Sequence, residues 1–100
     1  MYPTISISEF LSRAEKSALN LLDVRGPQGF AASHLPQAQS KPYADILTWS
    51  KDLDSNQDYY VICAIGQTSA KACDFLASQG FKVTNVEGGM AALDSSSDLG

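Results

Sequence analysis

Cys63 ends Tyr59-Tyr60-Val61-Ile62, the most β-prone run in the chain, and is followed by Ala64-Ile65-Gly66-Gln67-Thr68-Ser69. Aromatic and β-branched residues favour a strand. The stretch from Ser69 to Gln79, with Ala72, Cys73 and Leu76 on one side, reads as a helix. A strand that passes through a short loop into a helix sets the sulfur at the positive end of a helix dipole and beside a ring of backbone N–H groups. Both favour the thiolate, the reactive form of cysteine. Gly66 lets the loop curl so that successive N–H groups turn inward, and the same nest suits the oxyanion of a substrate. The chemistry on offer is nucleophilic attack by sulfur. An inert thiol that merely ends a buried strand fits the same spacing, so the pattern alone leaves both readings open.

The remaining candidates are weaker. Asp23 and Arg25 sit at the end of Leu21-Leu22-Asp23-Val24, where a charged pair more often orders a neighbouring loop than touches a substrate. His34 is the sole histidine. A thiolate formed at a helix N-terminus needs no base, so His34 is expected to fix its own turn. Cys73, on the inner side of its helix, is expected to be a buried thiol rather than a partner that resolves Cys63 into a disulfide. Thr68 and Ser69 carry hydroxyls suited to capping the helix and to hydrogen-bonding the sulfur. Lys71 is assigned to the solvated face and Met90 to the core. Two cysteines and one histidine fall short of the four ligands of a closed zinc site, so neither metal nor cofactor is expected.

The elements that must position these residues follow from pattern. Ser6 and Glu9 form a Ser-x-x-Glu capping box, which predicts a short strand near Tyr2–Ile5 and then a helix to about Ala18, with Ile7, Phe10, Leu11 and Ala14 as its apolar face. Leu21–Val24 reads as a strand buried on both faces. Pro27 suits the first position of a short helix through Phe30 to Ser33, and a brief strand is expected near Ala38–Ser40. A third helix, from about Tyr43 to Leu53, has Ile46, Leu47 and Trp49 to bury. Asp54-Ser55-Asn56-Gln57-Asp58 is a loop by composition. Gly80 is placed to end the helix after Cys63. Phe81–Val86 is a further strand, and Glu87-Gly88-Gly89 turns into a last helix at Met90–Leu93. Strands alternating with helices of this length mean an α/β fold on a mainly parallel sheet. Ligands then bind beyond the carboxyl ends of the strands, where Cys63 lies.

One hundred residues suit a single domain, expected over residues 1–94 with a frayed polar tail at 95–100. With 44% apolar and 18% charged residues, the chain is globular rather than disordered. No apolar run approaches the roughly 20 residues of a membrane span. The opening MYPTISISEF lacks the basic and apolar blocks of a signal peptide, so the expected compartment is the cytoplasm. Seven basic against eleven acidic residues, a net charge of -4 and no basic cluster argue against nucleic acid as a partner. A monomer is expected.

Leu22-Asp23-Val24-Arg25, Phe30 and His34-Leu35-Pro36-Gln37-Ala38 together resemble the first signature of the rhodanese-like, or thiosulfate sulfurtransferase, domain family. Cys63-Ala64-Ile65-Gly66-Gln67-Thr68-Ser69 is similar to that family's active-site loop in length and in the placing of Cys, Gly and Ser. Ala72, Leu76, Gly80-Phe81, Val86 and Glu87-Gly88-Gly89-Met90 continue the likeness, which covers the chain from Ile5 to about Leu93. The resemblance implies a mainly parallel sheet of about five strands with helices on both faces. It also implies that Cys63 is a persulfide-forming nucleophile, with residues 64–69 binding the substrate through loop amides and hydroxyls. Thiosulfate or a related donor would supply sulfane sulfur, and cyanide, a small thiol or a protein thiol would accept it. Four positions depart from the family pattern. Arginines common in the loop are replaced by Ala64 and Thr68, a glycine by Gln37, and a tryptophan by Leu93. A non-catalytic binding or sensing module is the alternative. A cysteine phosphatase or arsenate reductase comes last, because those enzymes clamp an oxyanion with an arginine closing the loop, where Thr68 stands.

Overall fold

The computed structural model describes residues 2–92; Leu93 and the tail at 95–100 lie outside the described residues. Five strands form one sheet: β1 (Thr4–Ser6), β2 (Asn20–Asp23), β3 (Ala38–Ser40), β4 (Asp58–Ile62) and β5 (Lys82–Glu87). All four pairings are parallel, in the order β1-β5-β4-β2-β3. The central strand, β4, is paired with β5 from Asp58 opposite Lys82 to Val61 opposite Asn85. Parallel strands need crossovers, and here helices supply most of them: α1 (Ile7–Lys16), α2 (Pro27–Ala32), α3 (Ile46–Trp49) and α4 (Gln67–Ser78), with a final helical turn at 89–92.

These helices cover both faces of the sheet. On one face Ile46 and Trp49 of α3 and Ala72, Cys73 and Leu76 of α4 pack against Leu22, Val61 and Val83. On the other, Ile7 and Phe10 of α1, with Leu35 and Met90, pack against Ile5, Leu21, Ile62 and Val86. Leu21 and Leu22 are neighbours on β2 yet both are fully buried, the mark of a strand covered on both faces. No helix of the described residues is long and apolar enough to cross a membrane.

Local chemistry sets the element ends. Ser6 caps α1, its hydroxyl accepting the Glu9 N–H at 3.1 Å. The Glu9 carboxylate does not return to the cap; it pairs with Arg13 one turn on, so the capping box is half formed. The helix stops at Lys16 rather than near Ala18. After α4 the Gly80 N–H donates to Ala77 and the Phe81 N–H to Leu76, each at 3.0 Å, which is the Schellman pattern that satisfies the last carbonyls.

Two expectations are corrected here. The segment 43–53 is not one helix. A short α-turn, Ile46–Trp49, lies between 3₁₀ turns at Tyr43–Asp45 and Ser50–Asp52, and the Trp49 indole N–H donates to the Pro42 carbonyl at 2.8 Å. Leu47 is not buried either, at 67% exposed. Ile46 and Trp49, three residues apart, share the inner face, and Leu47 falls about 100° round the helix from Ile46.

Candidate active site

The carboxyl ends of β2 and β4 lie side by side, joined past their last paired residues by the Val24 N–H donating to Ile62 at 2.9 Å. Cys63 is the next residue. The loop that follows is shorter than the sequence suggests, because α4 begins at Gln67, not Ser69. Its N-cap is Gly66, whose φ of 94° lies in the left-handed region that L-residues with a side chain rarely adopt. Thr68 and Ser69 therefore stand inside the first helical turn and cap nothing.

Cys63 is buried, 2% exposed as a residue. The Gly66 N–H donates to Sγ at 3.0 Å, and Sγ donates to the Ser69 hydroxyl at 3.3 Å. Among the described residues Gly66 gives the one backbone N–H bonded to Sγ, in place of the ring expected from sequence. The amides of Ala64, Ile65, Gln67, Thr68 and Ser69 donate to no carbonyl of the described residues; for the last three this follows from their place at the start of a helix, whose first N–H groups have no partner within it. Ala64 and Ile65 are exposed, Ile65 at 58%. Gln67 is exposed and Thr68 half-buried, the Thr68 hydroxyl bonding to no described residue. No charged side chain occurs from Cys63 through Ala70.

The loop is held from outside by the turn after β5. The Met90 N–H donates to the Cys63 carbonyl and the Ala91 N–H to the Ala64 carbonyl, both at 2.8 Å. Two loop carbonyls are thereby committed to the helical turn at 89–92. So close an approach requires Gly89: a Cβ there would sit 2.2 Å from the Cys63 oxygen.

Asp23, Arg25 and His34 form a separate group. Asp23 is fully buried, and its carboxylate accepts from the Arg25 backbone N–H at 3.1 Å and from the guanidinium at 2.8 Å. The same guanidinium donates to the Ser33 carbonyl, tying the end of β2 to the end of α2. His34 is exposed; its ring stacks on Phe30 at 3.8 Å and Nδ1 meets the Phe30 carbonyl at 2.8 Å. The side-chain bonds of Asp23 and His34 stay within residues 23–34 and do not reach the 63–69 loop.

Cys73 shares a core cluster with Cys63 and is fully buried. Burial first, then the neighbouring Asp74 and Cys63, pushes its thiol up to about 12. Such a thiol stays protonated and unreactive. Sequence reasoning passed over Asn85. It lies on the expected strand Phe81–Val86, between Val83 and Val86, and its Oδ1 accepts the Ser69 hydroxyl at 2.6 Å. The available signal was register: Asn85 alternates with Val83 onto the covered face, where a buried amide needs a partner.

Residues 6–96 match the family described as Rhodanese-like domain. The chain is 38% identical over 89 residues to "Putative sulfurtransferase YtwF" of Bacillus subtilis (strain 168), covering 89% of this chain and 84% of that protein. It is 29% identical over 89 residues to "Thiosulfate sulfurtransferase GlpE" of Pseudoalteromonas translucida (strain TAC 125), covering 88% and 85%. Among solved structures, a rhodanese-like domain protein from Staphylococcus aureus superposes with a TM-score of 0.87 at 32% identity, over 90% of this chain and 89% of that one.

Proposed function

As the chain belongs to the rhodanese-like domain family, we propose that it is a sulfurtransferase carrying sulfane sulfur on Cys63 as a persulfide. The observation that supports this best is a buried cysteine, 2% exposed, whose sulfur takes the Gly66 N–H at 3.0 Å in a loop of otherwise unpaired amides. With thiosulfate as donor, the Cys63 thiolate attacks the outer sulfur. A new S–S bond forms, the bond to the sulfite sulfur breaks, and sulfite leaves with that electron pair. The terminal sulfur of the persulfide carries the negative charge, which the amides of residues 64–69 stabilise without reorganising. Cyanide, a small thiol or a protein thiol then attacks the terminal sulfur, and Cys63 departs as the thiolate. Asp23, Arg25 and His34 support the site by fixing the adjoining turn.

The test is intact-protein mass spectrometry after mixing with thiosulfate. One added sulfur atom, removed by cyanide with release of thiocyanate, is the expected result. An unchanged mass with thiosulfate and with a persulfide donor would overturn the reading in favour of a non-catalytic binding module.

The uncharged loop carries its own prediction. Thiosulfate is a dianion, and a hydrogen bond to a charged group is worth about 1.5–3 kcal/mol. Without a loop cation the enzyme should saturate only at high thiosulfate. Thr68→Arg should lower KM by roughly tenfold or more and change kcat little, as expected for added ground-state binding. Steady-state rates at fixed ionic strength decide this; an unchanged KM would mean that the amides alone suffice.

A further inference from the structure

Behind the sulfur runs a line of three side chains. Sγ of Cys63 donates to Ser69 Oγ at 3.3 Å, and Ser69 Oγ donates to Asn85 Oδ1 at 2.6 Å. Ser69 is fully buried and Asn85 is 7% exposed, on two elements 16 residues apart in sequence. A hydroxyl has one hydrogen. Two acceptors compete for that of Ser69, Asn85 Oδ1 at 2.6 Å and the Gly66 carbonyl at 3.2 Å, and the nearer takes it. Toward the sulfur, Ser69 then presents only a lone pair. That arrangement suits a thiol and not a thiolate, which has no hydrogen to give.

We infer that Asn85 is a positioning residue, its carboxamide setting the direction of the Ser69 hydroxyl and hence whether Ser69 accepts from Cys63 or donates to it. A carboxamide is both donor and acceptor. With Oδ1 toward Ser69 the chain of bonds runs from sulfur to Asn85 and holds the thiol. With the amide turned over, Nδ2–H donates to Ser69 Oγ and the Ser69 hydrogen goes to the sulfur. The thiolate then receives two donors, the Gly66 N–H and the Ser69 O–H, without movement of the backbone. Asn85 touches neither the sulfur nor a substrate; it acts through Ser69. This inference rests on Cys63 being the sulfur-carrying thiol.

The test is the rate of iodoacetamide alkylation at about pH 6, well below the ordinary thiol pKa of about 8.5, where rate follows the thiolate fraction. Cys73 is buried and protonated and does not contribute in the folded protein. Asn85→Asp supplies an acceptor with no donor, and should slow alkylation of Cys63 by about tenfold, the lower end for a hydrogen bond to a charged group. Ser69→Ala, well tolerated in a helix, should slow it similarly. In the Ser69→Ala background Asn85→Asp should change little, because coupled residues are non-additive. Equal slowing in both backgrounds would mean that the new charge acts on the sulfur directly, and would overturn the relay. So would wild-type rates in either single variant. Should Asn85→Asp fail to fold by circular dichroism, Asn85→Leu removes the donor without adding charge. It also frees the Ser69 hydrogen to choose between the Gly66 carbonyl and the sulfur, and should change the alkylation rate about threefold or more with Ser69 present and not in its absence; equal rates with Ser69 present would overturn the relay. Persulfide formation by the wild type is measured alongside. Its absence defeats the functional reading whatever the alkylation rates, whereas persulfide without coupling defeats the relay alone.

Discussion

Cys63→Ser is expected to take up no sulfur from thiosulfate and to release no thiocyanate, with transfer reduced by a factor of at least about a thousand. A serine hydroxyl is scarcely ionised at neutral pH and is a poor nucleophile toward sulfur. The fold should survive, since an oxygen at that position still accepts the Gly66 N–H that Sγ now receives at 3.0 Å. Cys73→Ser is the control from the same core cluster. It introduces a hydroxyl where the thiol is fully buried, at a cost of about 1–3 kcal/mol, and should retain transfer at a temperature where the variant is folded. Intact mass and thiocyanate release read both variants. Equal loss of transfer in the two would overturn a mechanism that runs through Cys63 alone.

Gly89→Ala should have the next largest effect, although Gly89 lies 26 positions from Cys63 in sequence and carries no reactive group. Its φ of 57° is left-handed, which costs an alanine roughly 1–2 kcal/mol. The larger problem is contact: the new Cβ would lie 2.2 Å from the Cys63 carbonyl and 2.8 Å from that of Ala64. To relieve the clash, the loop or the turn has to move, and the two N–H bonds from Met90 and Ala91 lengthen or break. Thermal unfolding should fall by about 5–10 °C or more, and persulfide formation should drop with it because the loop amides lose their alignment. Gly26→Ala is the matched control, with a φ of -65° and open space where its Cβ would be. Unchanged stability and unchanged sulfur uptake in Gly89→Ala would show that the turn does not brace the loop.

The strongest inferences from sequence were those carried by short-range chemistry. The β-branched run before Cys63 became β4, and Ser6 became the cap of α1. The charged pair Asp23 and Arg25 became an ion pair between a buried carboxylate and a half-buried guanidinium two residues apart. Each depends on interactions within a few residues, where spacing and side-chain type are enough. The alternation of strands and helices then leaves a parallel sheet as the arrangement that buries every apolar face, and that sheet sets Cys63 at its carboxyl edge. What sequence placed poorly was the local outcome of packing. Leu47 was expected inward and lies outward, because Ile46 and Trp49 took the buried face of a helix only one turn long.

The site itself divides along the same line. Sequence determined the candidate thiol and its loop: a cysteine after the best strand, a glycine able to adopt positive φ, and no cation from Ala64 to Ala70. Only the tertiary structure decided what surrounds them. Asn85 meets Ser69 because β5 pairs with β4 in a register that sets Asn85 beside Val61, and Gly89 meets Cys63 because the turn after β5 closes over the end of β4. Those contacts join residues 16 and 26 positions apart, and no local propensity encodes them. They arise when β4 and β5 align, since the period of two along a strand fixes which side chains face α4 and which face away.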